Sequence, residues 1–299
     1  MLWEFEMKTM LVPLIGQHDL ENPLEVERSA LDAGFDLARR FEAHVKVVSL
    51  IDRPPVSPKK WPVWWPSGGA VEILDWIDQI SEQRRKNAIA QYNALLSDQD
   101  PQPLQPDSPT PGFTANFTEE VGEIVEILGP ICRLSDLVIT STADTNWIAP
   151  FSPLVAEILR DAGKPMLIVP KDGALGIGEK VALAWDGSAA SARSAAAAMP
   201  FLHRAQEVIV FTCDESAKGD VDPSDMVEYL EWHGLKANSS HIQHEGKRSG
   251  PAIVDAALER DCNLVVLGAA LHSRAHRLVY GSMTEYVLDQ PRIAALLVP

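Results

Sequence analysis

Asn263-Leu-Val-Val-Leu267-Gly268-Ala-Ala-Leu271-His272-Ser-Arg274-Ala-His276-Arg277-Leu-Val-Tyr280-Gly281-Ser282 joins a short apolar run to a helix start through two glycines, Gly268 and Gly281. A continuous run such as 263–267 marks a strand covered on both faces, and Met283 to Leu288 beyond it has helical spacing. Ser282 falls at the N-cap position with Glu285 three residues on, so the freed amides of that turn face any anion the loop holds. The stretch therefore has the form of a phosphate cradle, and a last strand, Ile293 to Val298, closes the chain.

Working back from this stretch, strands and helices alternate. Lys180 to Ala184 reads as a strand, Asp186-Gly187-Ser188 as a turn, Ser188 to Arg204 as an alanine-rich helix and Glu207 to Thr212 as a strand. An acidic helix (Pro223 to His233), a polar strand (Ala237 to Gln243) and a helix (Pro251 to Arg260) lead into the apolar run. This alternation predicts right-handed crossovers and a parallel sheet between helical layers.

The first half repeats the order. Strands are expected at Thr9 to Leu14, Val45 to Leu50, Phe113 to Phe117, Leu137 to Thr140 and Met166 to Val169. Helices are expected at Pro23 to Phe41, Glu119 to Arg133 and Pro153 to Asp161. The endings match best: Ser135-Asp-Leu-Val-Ile-Thr140 beside Cys262-Asn-Leu-Val-Val-Leu267, and Lys164-Pro-Met-Leu-Ile-Val-Pro170 beside Arg292-Ile-Ala-Ala-Leu-Leu-Val-Pro299. Duplication on this scale implies two domains of one design, residues 1–170 and 179–299, with 171–178 a flexible glycine-bearing linker. The first copy carries an insertion at about 52–112: a loop with Trp61, Trp64 and Trp65, a long helix from Val71 to Leu96, and a proline-rich acidic spacer. The tryptophan loop reads either as a contact surface or as a cap folded onto its own domain.

Composition narrows the function. Forty-two acidic against twenty-six basic side chains give a formal charge of -16 over 299 residues, which repels nucleic acid and anionic lipid. Cys132, Cys213 and Cys262 show no paired spacing, as expected of reduced core thiols in the cytoplasm. No segment approaches the roughly eighteen apolar residues that span a bilayer, and the start has acids where a signal peptide has bases.

Parallel open sheets bind ligands beyond the carboxyl ends of their strands. On that edge Asp186 is placed to accept from an adenine amino group or a ribose hydroxyl, and the backbone at Cys213 to pair with the adenine edge. Gly268 lets the chain pass close to ribose or phosphate, while Gly281 and Ser282 hold phosphate oxygens. His272, Arg274, His276 and Arg277 form a basic island in the same loop, either an anion partner or a solvated patch. Taken alone, Asp186-Gly187-Ser188 is also an ordinary helix cap. His272 and His276 have the spacing of a helical zinc pair but lie in a loop and lack the accompanying glutamate. No phosphate-loop signature, serine elbow or catalytic cysteine context occurs, and no general base can be named.

Residues 179–299 resemble the universal stress protein family: Val181-Ala-Leu-Ala-Trp-Asp186-Gly-Ser188 is similar to its first strand and turn. The loop from Gly268 is similar to its glycine, two residues, glycine, nine residues, glycine, serine or threonine pattern, except that Leu271 stands in place of the second glycine. The resemblance implies an α/β fold of two tandem domains. Each is an open, mainly parallel five-stranded Rossmann-like sheet of the adenine-nucleotide alpha-hydrolase type, with helices on both faces. It also implies ATP or AMP bound through Asp186, Cys213, Gly268, Gly281, Ser282 and Met283. Leu271 weighs against a triphosphate more than against adenosine. The first copy has neither the aspartate-glycine-serine turn after Leu14 nor the glycines after Thr140, so no nucleotide is expected there.

The expected protein is thus a cytoplasmic stress-response protein that binds ATP, ADP or AMP in its second domain and changes its contacts with a protein partner. Its two copies form a pseudo-dimer compatible with further homodimerisation. It has no catalytic residue, at most a slow ATPase, and no metal beyond a magnesium ion accompanying nucleotide; nucleic acid and membrane are not among its partners. The rival is a tandem scaffold that binds no nucleotide and acts through protein contacts alone.

Overall fold

A computed structural model of the chain describes residues 6–14, 25–52, 70–100, 102–122, 124–141, 159, 162–174, 176–213, 221–243, 249–269, 272–274, 277–279, 282–289 and 291–299. The first half contributes β1 (Thr9–Leu14), α1 (Glu25–Phe41), β2 (His44–Asp52), α2 (Ala70–Asp98), β3 (Thr114–Gly122), α3 (Ile124–Cys132), β4 (Leu137–Ser141) and β5 (Met166–Val169). The second contributes β6 (Lys180–Ala184), α4 (Ala189–Leu202), β7 (Glu207–Cys213), α5 (Pro223–Trp232), β8 (Ala237–Ile242), α6 (Ser249–Glu259) and β9 (Leu264–Gly268). It ends with β10 (His272–Arg274), β11 (Arg277–Val279), α7 (Ser282–Asp289) and β12 (Ala294–Val298).

Ten of these strands form one sheet in the order β3-β2-β1-β4-β5-β12-β9-β6-β7-β8. The same five-strand order, third-second-first-fourth-fifth, appears in each half, as the repeat in the sequence predicts. All neighbours run parallel except the central pair, where β5 and β12 meet antiparallel with Leu167 opposite Leu296. The two matched chain endings are therefore the strands that face each other across a pseudo-twofold axis.

Alternation of side chains sends each strand into two apolar layers. One face of the sheet packs with Leu31 and Phe35 of α1, Tyr92 of α2, Phe201 of α4 and Leu230 of α5. The other packs with Leu128 of α3, Ile253 and Ala257 of α6 and Val287 of α7. The halves also meet through helices: the Phe41 and Phe201 rings stand edge-on at 5.3 Å, and the Arg204 guanidinium lies 4.3 Å above the Phe41 ring.

The structure revises three expectations. Residues 119–122, expected to open a helix, continue β3, because β2 is nine residues long and pairs along all of it, Ser49 with Glu119 through Asp52 with Gly122. The helix begins only at Ile124. The loop after β9 folds back on itself as the β10–β11 antiparallel hairpin, with Arg274 opposite Arg277. The stretch expected as a flexible linker is pinned down. Ile177 is 1% exposed, its carbonyl accepts from Arg40 Nη1 at 2.8 Å, and the Gly178 amide donates to Asn263 Oδ1 at 3.1 Å. The tryptophan loop at 61–65, Leu271, Gly281 and all but Leu159 of the expected 153–161 helix lie outside the described residues.

Candidate functional site

Order reversal in each half falls between its first and fourth strands, β6 and β9 in the second half, where Leu183 pairs with Val266. Open parallel sheets leave a crevice there, beyond the carboxyl ends of the strands. On the same carboxyl rim, but on the side of β6 away from β9, three β-strands and one helix of the second half border a cavity of ≈ 330 Å³. β6 runs on into Trp185 and Asp186, β7 ends in Thr212 and Cys213, α5 starts at Asp222, and β8 adds Ser239 and His241.

Each wall has a local cause. Asp186 turns the chain through Gly187, whose φ of 73° is a conformation glycine adopts without strain, and its Oδ1 accepts the Ser188 amide at 3.0 Å. Ser188 then caps α4 by accepting the Ser191 amide at 3.2 Å. Trp185 is 6% exposed, and its indole N–H donates to the Val221 carbonyl at 3.3 Å, which ties the segment before α5 to the cavity floor. Asp222 caps α5, accepting from the Ser224 amide at 2.9 Å and the Ser224 hydroxyl at 2.6 Å; these two bonds hold its carboxyl below the usual range. Across the rim, Thr212 and His241 are register partners, and Thr212 Oγ1 lies 3.2 Å from His241 Nδ1.

Of the residues proposed from sequence, Asp186 and Cys213 come together in this cavity, which places a carboxylate beside the end of a buried strand. Gly268 stands at the end of β9, next to β6, but has a packing reason of its own. A Cβ there would lie 2.9 Å from the Ala190 carbonyl carbon, in the first turn of α4. Met283 is in the first turn of α7 and packs against the apolar layer that contains Val287, not among the residues lining the cavity. Ser282 is the first residue of α7 and its side chain is not described; Gly281 lies outside the described residues. The sequence reading gave no ligand-binding role to Trp185, Asp222, Ser224, Ser239 or His241. Asp222, an acid directly before Pro223 at a helix start, carried a local signal; Ser224 follows it in the first turn of α5, Trp185 precedes Asp186, and Ser239 and His241 reach the cavity through strand register.

Among the described residues the cavity has an acidic lining, with Asp186 and Asp222 and no lysine or arginine. It suits a neutral group rich in hydrogen-bond donors, and an anionic tail would have to leave it along the rim. Among the described residues no cluster of His, Cys, Asp or Glu could hold a metal ion, and no helix is long and apolar enough to cross a membrane.

Comparison with known proteins agrees with this architecture. The Universal stress protein family profile matches residues 179–299. A universal stress protein from Archaeoglobus fulgidus DSM 4304 superposes with a TM-score of 0.66 at 15% identity, covering 98% of this chain and 99% of that one. A functionally unknown protein from Pseudomonas aeruginosa PAO1 superposes with a TM-score of 0.51 at 14% identity, covering 98% and 92%. No curated protein matches the sequence.

Proposed function

We propose that the second half of the chain, whose residues 179–299 match the universal stress protein family profile, binds an adenine nucleotide and that ligand state alters its contacts with a protein partner in the cytoplasm. The observation that carries this reading is the meeting of Asp186 and Cys213 in one cavity at the carboxyl ends of parallel strands. A cavity of ≈ 330 Å³ suits a nucleoside, and its acidic lining suits the donor-bearing amino edge of adenine and the ribose hydroxyls. Phosphates would then run past Gly268 toward the amino end of α7, where Ser282 begins the helix and its free amides attract anions. The basic residues His272, Arg274 and Arg277 belong to the hairpin between these two points in the chain. Magnesium, where present, would accompany the phosphates.

One observation favours the scaffold reading instead: Asp186 and Gly268 both have structural duties, the first in the turn before α4 and the second against Ala190. Calorimetric titration with ATP, ADP and AMP separates the two. The nucleotide reading expects saturable heat with at least one of them. It also expects a loss of about 10- to 100-fold in affinity for Asp186→Ala, the worth of one hydrogen bond to a charged group. Absence of heat with all three would leave the scaffold.

A further inference from the structure

The two edges of the ten-stranded sheet are built differently. At β3 the chain covers the start of its own edge. Leu104 forms a parallel bridge with Thr114, the Leu104 amide donates to Phe113 O at 3.1 Å, and the Ala115 amide donates to Leu104 O at 2.9 Å. Farther along, β3 carries Glu119 and Glu120, so two such edges brought together would oppose carboxylates.

The other edge is β8, Ala237-Asn-Ser-Ser-His-Ile242, which contains no acid, lysine, arginine or proline in a chain of net charge -16. Among the described residues it pairs with β7 alone. Edge strands are ordinarily guarded by charge, proline or a covering segment; among the described residues no segment covers β8, and the charges held beside it are Arg260, which donates to Ser240 Oγ at 3.4 Å, and Glu207, which accepts from Asn238 Nδ2 at 2.9 Å.

We propose that the β8 edge is a self-association surface, on which a second copy of this chain joins antiparallel, β8 to β8, to continue the sheet. A twofold axis perpendicular to the sheet keeps like faces together, so a pairing centred on Ser239 sets Ala237 opposite His241 and Asn238 opposite Ser240. The pairs within 237–241 are uncharged, and Ile242 falls opposite Lys236. The molecule already contains a joint of this kind, since its own halves meet edge to edge through the antiparallel pair β5 and β12.

α5, packed beside β8, carries exposed aromatics along its own surface: Trp232, 82% exposed, donates to Glu228 Oε1 at 3.4 Å, and the ring of Tyr229, 42% exposed, lies 4.7 Å from that of His233. It also brings Asp225, Glu228 and Glu231, which repel their twofold mates. Association through this edge therefore strengthens as salt is added, the reverse of an interface held by ion pairs.

Sedimentation velocity on the full chain without ligand tests the proposal, with mass rather than ligand binding as the readout. Wild type is expected to show a concentration-dependent monomer–dimer equilibrium whose dimer fraction rises with sodium chloride. Ser239 is exposed and also lines the cavity, so Ser239→Glu and Ser239→Lys are checked for folding by thermal melts, and each is expected to lose at least about tenfold in association, because like charges then meet on the axis. An equimolar mixture of the two is expected to recover the dimer. Monomeric wild type throughout, an undiminished Ser239→Glu dimer, or a mixture that stays monomeric would each overturn the proposal.

Discussion

Asp136 and Asn263 hold the same post in the two halves, each directly before the fourth strand of its half and each fastening the start of the first strand. Asp136 Oδ2 accepts the Lys8 and Thr9 amides, both at 2.9 Å; Asn263 Oδ1 accepts the Gly178 and Lys180 amides at 3.1 and 3.2 Å. The backbone repeats the correspondence, with Asp136 N donating to Thr9 O and Asn263 N to Lys180 O. Asp136→Ala and Asn263→Ala are each expected to lower unfolding free energy by about 1–2 kcal/mol, since each leaves two strand-end amides without their acceptor. The strand pairs concerned are separated by β5 and β12, about 14 Å at ordinary strand spacing, so the double variant should show the sum. Urea denaturation with unchanged m-values is the check.

Asn263→Asp should be milder than Asn263→Ala and still costly. The acceptor survives, but Asn263 Nδ2 also donates to Gly176 O at 2.6 Å, and a carboxylate would face that carbonyl with no proton to give. A loss of about 1–2 kcal/mol is expected at neutral pH, with partial recovery in acid as the introduced carboxyl protonates. Stability that is flat with pH would remove the Gly176 contact from the account.

Gly268→Ala should be destabilising in the absence of any ligand. Its Cβ would meet the Ala190 carbonyl carbon at 2.9 Å and the Ala190 carbonyl oxygen at 3.0 Å, and backbone yields less readily than side chain. A cost of about 1–3 kcal/mol follows from overpacking at such a contact. A variant as stable as wild type would show that α4 does not approach β9 this closely.

His44 makes stability depend on pH. Its Nε2 donates to Asn116 Oδ1 at 3.2 Å and its Nδ1 accepts from the Thr114 hydroxyl at 2.8 Å, which fixes a neutral imidazole between β2 and β3. Burial lowers its pKa from 6.5, the bond to Asn116 works the other way, and the Lys46 charge adds a smaller push downward. The folded state prefers the uncharged ring, so this contribution is fully present above pH 6.5 and is lost as pH falls through the lowered value. Thermal unfolding followed from neutral to mildly acidic pH should show a decline that His44→Gln reduces.

All three cysteines should resist thiol reagents in the native protein. Cys132 and Cys213 are 0% exposed and Cys262 4%; burial pushes the Cys132 thiol up to about 12 and the Cys262 thiol up to about 11, so little reactive thiolate forms. Ellman's reagent at about pH 8 should report none of them within the time in which urea-unfolded protein reports all three. Rapid labelling of the native chain would contradict the packing around α3 and α6.

Much of this architecture can be read from the residues because strands buried on both faces announce themselves. Val181, Ala182 and Leu183 leave no polar position to misplace, and the repeated endings at Met166 and Ala294 announce the duplication, though not that these two strands pair with each other. Glu119 and Glu120 mislead because acids suggest a helix start, whereas the length of β2 and the Arg85–Glu119 ion pair at 2.7 Å keep them in a strand. The cavity is half legible. Asp186 stands in a recognisable turn, but Thr212 and His241 meet only through the parallel register of β7 and β8, which no local spacing records. Gly268 teaches a different lesson: its missing side chain is as well explained by a neighbouring helix as by a ligand.

The antiparallel seam at the centre of the sheet leaves neither half with a fifth edge of its own. Cut apart, the first would bare Met166-Leu-Ile-Val169 and the second Ala294-Ala-Leu-Leu-Val298, tracts now wholly sealed from water. Fusion in one polypeptide guarantees every copy its mate at birth, at an effective concentration no pair of separate chains attains, and it leaves either sequence free to drift so long as its half of the seam endures.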